Sequence, residues 1–319
     1  CFYHYWFSGR RILERPVDQF LKSDIDMSFC LCWANENWTR TWDGDTRSVL
    51  LEQKYGEDDA LAFIESILPA LKDPRYIQVD GKPLLVVYRA KEIPDASAWF
   101  AMWRQYAQEN DLSGLHISVV DFYDIETPME VGADSMVEFP PHKFNGAGSN
   151  PDYPPAITNM EFAGSLVDYR KMMRQSLRRA KPDFQLFRGI IPSWDNTARR
   201  QDTPTIIVNS SPSLYGKWLK FLRRYTQAAN TSPDRKLIFV NAWNEWGEGC
   251  HLEPDMKWGL SYLEETLRSA YEAGSAAEQA DNDPAAAAAE LDQVLDMVFD
   301  GDAPSEEETA PEPVPEPQR

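Results

Sequence analysis

The sequence predicts an α/β fold, a (β/α)8 barrel of the TIM type, on three observations. Seven short apolar runs alternate with longer amphipathic segments across residues 1–272, the rhythm of repeated βα units around a parallel sheet. Polar and aromatic residues gather directly after those runs, where such a barrel assembles its active site. No Gly-rich phosphate loop opens the chain, as a doubly wound sheet would normally require. An eighth strand is missing from the series. The chain opens on Cys1, inside an aromatic strand, and the expectation is that the first βα unit lies upstream.

The elements follow in order. Residues 1–7 are aromatic and extended, and a short helix around residues 17–21 separates them from the run 27–33. Leu61, Ile64, Leu68 and Leu71 recur at helical spacing, which predicts a helix over 58–71 leading into the strand 84–88. A helix near 96–108 precedes the strand 116–120. The run 136–139 is followed by a long Pro- and Gly-containing loop and a basic helix over 169–180. The strands 185–191 and 237–240 complete the series with a helix over 214–228 between them, and residues 260–271 read as a closing helix. Residues 273–319 are different material: an Ala run, acidic clusters and a Pro-alternating end that cannot bury enough apolar surface to order themselves. Within them Leu291, Val294, Leu295 and Val298 form a short apolar face, read as a transient helix in a tail or linker, with docking on a partner as the alternative.

Charge excludes one class of function. The net charge of −19 divides unevenly, with 13 acidic residues against Arg319 alone after residue 272, and 38 against 31 basic residues before it. Neither part carries the basic stripe of a nucleic-acid binder. No run approaches a membrane span and no signal peptide is visible, so the expected location is cytoplasmic without membrane insertion. Cys1, Cys30, Cys32 and Cys250 show no disulfide framework spacing, and they read as reduced, buried small hydrophobes. A metal site at Cys30 and Cys32, or at Cys250 with His251, is the alternative. No H-E-x-x-H, calcium loop, D-x-D or G-x-S-x-G motif occurs, and no cofactor or metal is expected.

The chemistry concentrates in Asn244-Glu245-Trp246-Gly247-Glu248-Gly249, directly after an apolar strand. Cleaving a glycosidic bond needs one carboxyl group to protonate the leaving oxygen and a second group to manage charge or a nucleophile at the ring. Glu245 and Glu248 can supply both, while Trp243 and Trp246 offer flat apolar faces for sugar rings. An acidic, Trp-rich turn can also simply cap a helix. A second cluster, running from Asn35 and Glu36 through Trp38 to Trp42 and Asp43, mixes amide, carboxylate and indole groups as a sugar site does, although Arg40 and Asp43 could instead pair over Trp packing. Other strand ends offer Tyr88 with Arg89, Asp121 with Tyr123, Glu138 with Pro140 and His142, and Trp194, Asp195 and Asn196. His142, one of 4 histidines, reads as a hydrogen-bonding residue rather than a catalyst.

These residues resemble a known family. The run Ala242-Trp243-Asn244-Glu245-Trp246-Gly247-Glu248-Gly249, continuing to Leu252-Glu253-Pro254-Asp255, is similar to the signature of the glycoside hydrolase family 99-like, WbsX-type proteins found with bacterial polysaccharide genes. Cys32-Trp33-Ala34-Asn35-Glu36-Asn37-Trp38-Thr39-Arg40 and Tyr3-His4-Tyr5-Trp6-Phe7 resemble two further blocks, adding Tyr5 and Trp6 to the expected sugar contacts. The likeness covers residues 1–272. It implies a (β/α)8 barrel and, from the endo-mannosidase relatives, retention of configuration without a metal. By that resemblance Glu245 acts as base on the substrate's own 2-hydroxyl, which attacks the anomeric carbon to give an anhydro-sugar, and Glu248 is the general acid and later the base. The upstream block that supplies the family's first strand is absent from residues 1–319. WbsX-type members also carry a glycosyltransferase name. The expected partners are an oligo- or polysaccharide substrate and polysaccharide-assembly domains or proteins, with a transferase or a non-catalytic glycan-binding module as the competing readings.

Overall fold

The computed structural model describes residues 1–40, 45–56, 58–146 and 148–277; Trp42 and Asp43 lie outside the described residues. The chain divides into a unit Cys1–Gln279 and a remainder Ala280–Arg319, of which the second also lies outside them.

All seven expected strands are present: β1 (Phe2–Phe7), β2 (Leu31–Trp33), β3 (Lys82–Val87), β4 (His116–Val120), β5 (Ser135–Val137), β6 (Gln185–Ile190) and β7 (Ile238–Val240). Each pairs in parallel with the next, so spatial order follows chain order, as successive βα crossovers dictate. The sheet is a curled half-barrel. Among the described residues no ladder joins β7 to β1, and a short antiparallel strand, Arg10–Ile12, lies on the outer edge of β1. Three smaller pairings were not expected from the sequence: the hairpin Trp38–Arg40 with Asp45–Leu51, the parallel pair Ser165–Asp168 with Thr205–Val208, and the short hairpin Asn244–Glu245 with Cys250–His251.

The main helices are α1 (Arg15–Leu21), α2 (Asp59–Leu71), α3 (Ala96–Glu109), α4 (Tyr169–Leu177), α6 (Pro212–Ala229) and α7 (Ser261–Ala277), with the four-residue α5 (Thr197–Arg200) between α4 and α6. Their starts are written in the sequence. Asp95 accepts from the Ala98 N–H at 3.0 Å to begin α3, Asp168 accepts from Arg170 and Lys171 to begin α4, and Ser211 followed by Pro212 opens α6. Among the described residues no helix is long and apolar enough to cross a membrane.

Between the sheet and α2 and α3 lies an aromatic core in which Trp33 stacks on Trp99 with 8° between planes and packs against Phe63 and Trp103. Trp103 also donates to the Ala60 carbonyl at 2.8 Å, so its one polar atom is satisfied. Each fully buried ring of this kind contributes on the order of 3 kcal/mol of transfer free energy. Strand alternation decides what reaches the other face. On β1, Trp6 turns toward the helices and donates to Asp59 of α2 at 2.8 Å, which corrects its assignment as a sugar contact. Tyr5, one residue earlier, points to the opposite face.

Candidate active site

The site is built at the carboxyl ends of the parallel strands, starting from β7. The ladder continues one residue past β7, where the Asn241 N–H donates to the Ile190 carbonyl at 2.8 Å and the Asn241 side-chain amide donates to the Pro140 carbonyl at 2.7 Å. The chain then doubles back. Asn244–Glu245 pairs antiparallel with Cys250–His251, a single 3-10 turn over Trp246–Glu248 makes the reversal, and Gly249 closes it at a positive φ of 57°. This tight turn brings Glu245 and Glu248 to one guanidinium. Arg199 Nη2 donates to Glu245 Oε1 at 2.7 Å, and Arg199 Nη1 donates to Glu248 Oε1 at 2.9 Å. Gly247 makes room for it, since a Cβ there would lie 2.8 Å from Arg199 Nε.

Arg199 arrives on the loop after β6, which is stitched to the same turn. The Asp195 N–H donates to the Glu248 carbonyl at 2.7 Å and the Ser193 hydroxyl donates to the Gly249 carbonyl at 2.6 Å. The Asp195 carboxylate accepts from the Thr197 N–H and hydroxyl, which turns the chain into α5 and hangs Arg199 over Gly247. Asp195 is therefore a brace for the site. Trp194 is buried beneath it rather than presented to a ligand.

Glu248 is pushed up to about 7, first by burial, with the negative charges of Glu245 and Glu36 adding to it and Arg199 opposing. The charge of Glu245 reaches Tyr5, whose hydroxyl is held up at about 12 chiefly by burial, and it also reaches Tyr3. Tyr88, half-buried and raised chiefly by desolvation, feels both Glu36 and Glu248. The charges of the segment after β7 thus reach tyrosines on β1 and at the end of β3, the first strand of the parallel series and one from its middle. Trp38 lies with its ring edge-on to Tyr5 at 5.2 Å and to Phe7 at 5.6 Å.

A second group lines the ends of β2 to β5. Arg89 donates to Glu36 at 2.6 Å and lies over the Phe122 ring at 3.9 Å. His142 packs edge-on against Phe122 at 4.7 Å, and burial together with Arg89 lowers it to about 4, leaving a neutral imidazole at neutral pH. Tyr123, exposed, donates to Asn145. Trp243 and Trp246 present about half their surface to solvent. One face of Trp246 is already covered by the His251 ring at 3.7 Å, and its N–H donates to Glu253. Asn244 is exposed beside them.

Three expected contacts are placed elsewhere. Asn35 is fully buried and brackets two strand ends, donating to the Tyr55 hydroxyl and the Arg89 carbonyl and accepting from the Arg89 N–H. Asp121 and Glu138 are buried in an ion network: Asp121 accepts from Lys143 and Arg179, and Glu138 accepts from Arg179, Arg188 and the Gly189 N–H. Short charged residues after a strand look alike in sequence, whichever face they take. Arg199 was missed for the converse reason. Its only signal was a basic pair, Arg199-Arg200, closely following Trp194-Asp195-Asn196. Cavity volume alone points away from these residues: spaces of about 350 and 360 Å³ lie in the loops around Asp24 and Arg75 and between the sheet and α1 and α2. Neither reaches the strand ends, and the convergence of titratable groups is the better guide to chemistry.

The family described as Glycosyltransferase WbsX matches residues 1–266. Proteins named Uncharacterized protein WxcX, from two strains of Xanthomonas campestris pv. campestris, are 37% identical over 276 residues, covering 84% of this chain and 38% of their own length. The chain therefore spans less than two-fifths of these relatives. Among solved structures, the GH99 endo-alpha-mannosidase from Bacteroides thetaiotaomicron aligns with a TM-score of 0.50 and 14% identity over 85% of this chain and 75% of that one. That is a likeness of fold.

Proposed function

Because this chain belongs to the WbsX glycosyltransferase family, we propose that residues 1–272 form a carbohydrate-active catalytic domain that cleaves α-linked, mannose-type glycans with retention, in the metabolism of cell-surface polysaccharide. One observation carries the reading: two carboxylates, one of them (Glu248) with its pKa raised by burial, converge at the mouth of the last parallel strand, beside tyrosines and exposed indoles. Glu248, held near 7, keeps the proton a general acid must deliver to the leaving oxygen, and it becomes the base once that proton is gone. Glu245 takes the proton of the substrate's 2-hydroxyl as that oxygen attacks the anomeric carbon, giving an anhydro-sugar that water then opens. Tyr5 and Tyr88 border the space the ring occupies, and Trp38, Trp243 and Trp246 supply apolar faces for it. The likeness of fold to an endo-alpha-mannosidase supports a glycan substrate.

A glycosyltransferase with the same acid pair is the second reading, favoured by the family's description. The two separate in one assay. The purified protein is incubated with α-manno-oligosaccharides in the absence of any nucleotide sugar, and release of reducing ends is followed. A hydrolase releases them, whereas a transferase releases none and, once a donor is added, elongates the oligosaccharide with release of the nucleotide. Glu245→Gln and Glu248→Gln are each expected to lower turnover by about 10²-fold or more. Unchanged turnover in either removes the assigned role.

A further inference from the structure

Resting on that reading of the site, we propose that Arg199 is a movable clamp that selects a glycan carrying an acidic group, a carboxylate or an equivalent anion on a sugar at the cleavage point.

The geometry poses a problem that a neutral substrate does not solve. One oxygen of each glutamate, Oε1, is engaged by the same guanidinium, so Arg199 ties the two acids together and competes with a sugar for those oxygens. The clamp is seated: Gly247 has no side chain to obstruct it, and the bonds from the Asp195 N–H to the Glu248 carbonyl and from the Ser193 hydroxyl to the Gly249 carbonyl hold its loop on the turn. It is also accessible, with more than a third of the Arg199 side chain exposed, so a ligand can reach it from solvent.

An incoming anion resolves the arrangement with balanced charge. With both acids ionised, the two carboxylates and the guanidinium carry one net negative charge. A saccharide carboxylate pairs with Arg199 and draws it away. Glu245 and Glu248 then face one another as like charges in a partly buried place, and one of them takes a proton from solvent. Burial already favours Glu248 for that proton. The product is a paired Arg199, a protonated Glu248, an ionised Glu245 and again one net negative charge. An acidic substrate thereby arms the general acid, whereas a neutral one has to displace Arg199 without compensation. A guanidinium suits the task because the two N–H groups that hold one oxygen of each glutamate can instead pair in parallel with both oxygens of a single carboxylate.

The test is calorimetric titration of the 319-residue protein with an α-linked mannobiose and with the same disaccharide oxidised to the carboxylate at C6 of its non-reducing sugar, in buffers of differing ionisation enthalpy at pH 7.5. The expected result is at least about tenfold tighter binding of the oxidised sugar, with net uptake of a proton approaching about one per site. Arg199→Gln is expected to abolish both the preference and the uptake. Arg199→Lys, which keeps the charge without the fork, is expected to retain part of the preference. Wild-type protein that binds neither sugar, prefers the neutral one, or binds the acid without proton uptake overturns the proposal. So does an Arg199→Gln variant that keeps the preference. Binding is read independently of turnover, so failure here leaves the acid pair in place, and failure of the turnover assay leaves the clamp to be judged on its own.

Discussion

At the scale of single residues, two glutamates three positions apart acquire different chemistry because the turn sets them in different surroundings. Glu248 is pushed up to about 7, and that shift has a visible consequence for a general acid. The protonated fraction falls as pH rises through about 7, so kcat/KM is expected to fall on an alkaline limb centred near that value. Arg199 holds the group down, so Arg199→Gln is expected to move the limb to higher pH. A limb that stays in place after that substitution, or one that tracks an ordinary carboxylate, contradicts the assignment. Much of this was legible in the chain, since the spacing and the flanking tryptophans of Glu245 and Glu248 single out that turn in the sequence. Arg199 was not, because it lies 46 and 49 residues away from its partners and only the packing of two loops brings it across.

At the scale of elements, periodicity located the strands and left open which face each residue takes. Strand β3 after Lys82 is a continuous apolar run, Pro83 to Val87, buried throughout, and such a run could be placed without knowledge of its neighbours. Tyr5 and Trp6 show the limit. Both are aromatic, and only the pleat sends one to the strand-end space and the other to Asp59. Asn35 was read as a sugar ligand for the same reason, whereas two of its side-chain hydrogen bonds, both with the Arg89 backbone, fasten the end of β2 to the end of β3 and a third goes to the Tyr55 hydroxyl. Close strand packing also makes a sharp expectation for Gly189 on β6, where a Cβ would lie 2.3 Å from the Glu138 carbonyl oxygen. Gly189→Ala is expected to destabilise the fold by about 3 kcal/mol, measured by denaturant unfolding. A midpoint unchanged from the parent chain would mean that β5 and β6 are not packed this closely.

At the scale of the whole molecule, the sheet is a curled half-barrel, and a buried ion network underlies one side of it. Glu138 and Arg188 are each almost wholly buried and paired at 2.8 Å, with Arg179 joining them to Asp121. Removing one partner leaves an uncompensated charge. Glu138→Gln is expected to cost about 3–5 kcal/mol, while a paired Glu138→Met, Arg188→Met replacement costs less. An equal loss in the double variant would show that the network acts by packing and not by charge. The curl was implied by the alternation of strand and helix, but the internal pairing of Asp121 and Glu138 was not, because a carboxylate after a strand carries no mark of its partner.

The measurement that tests the central claim most directly is turnover of α-linked mannose oligosaccharides by the purified protein and by Glu245→Gln and Glu248→Gln, with circular dichroism to show that both variants are folded. The account expects measurable release of reducing sugar by the parent chain, with loss of about 10²-fold or more in each folded variant. Folded variants that turn over as fast as the parent would contradict it.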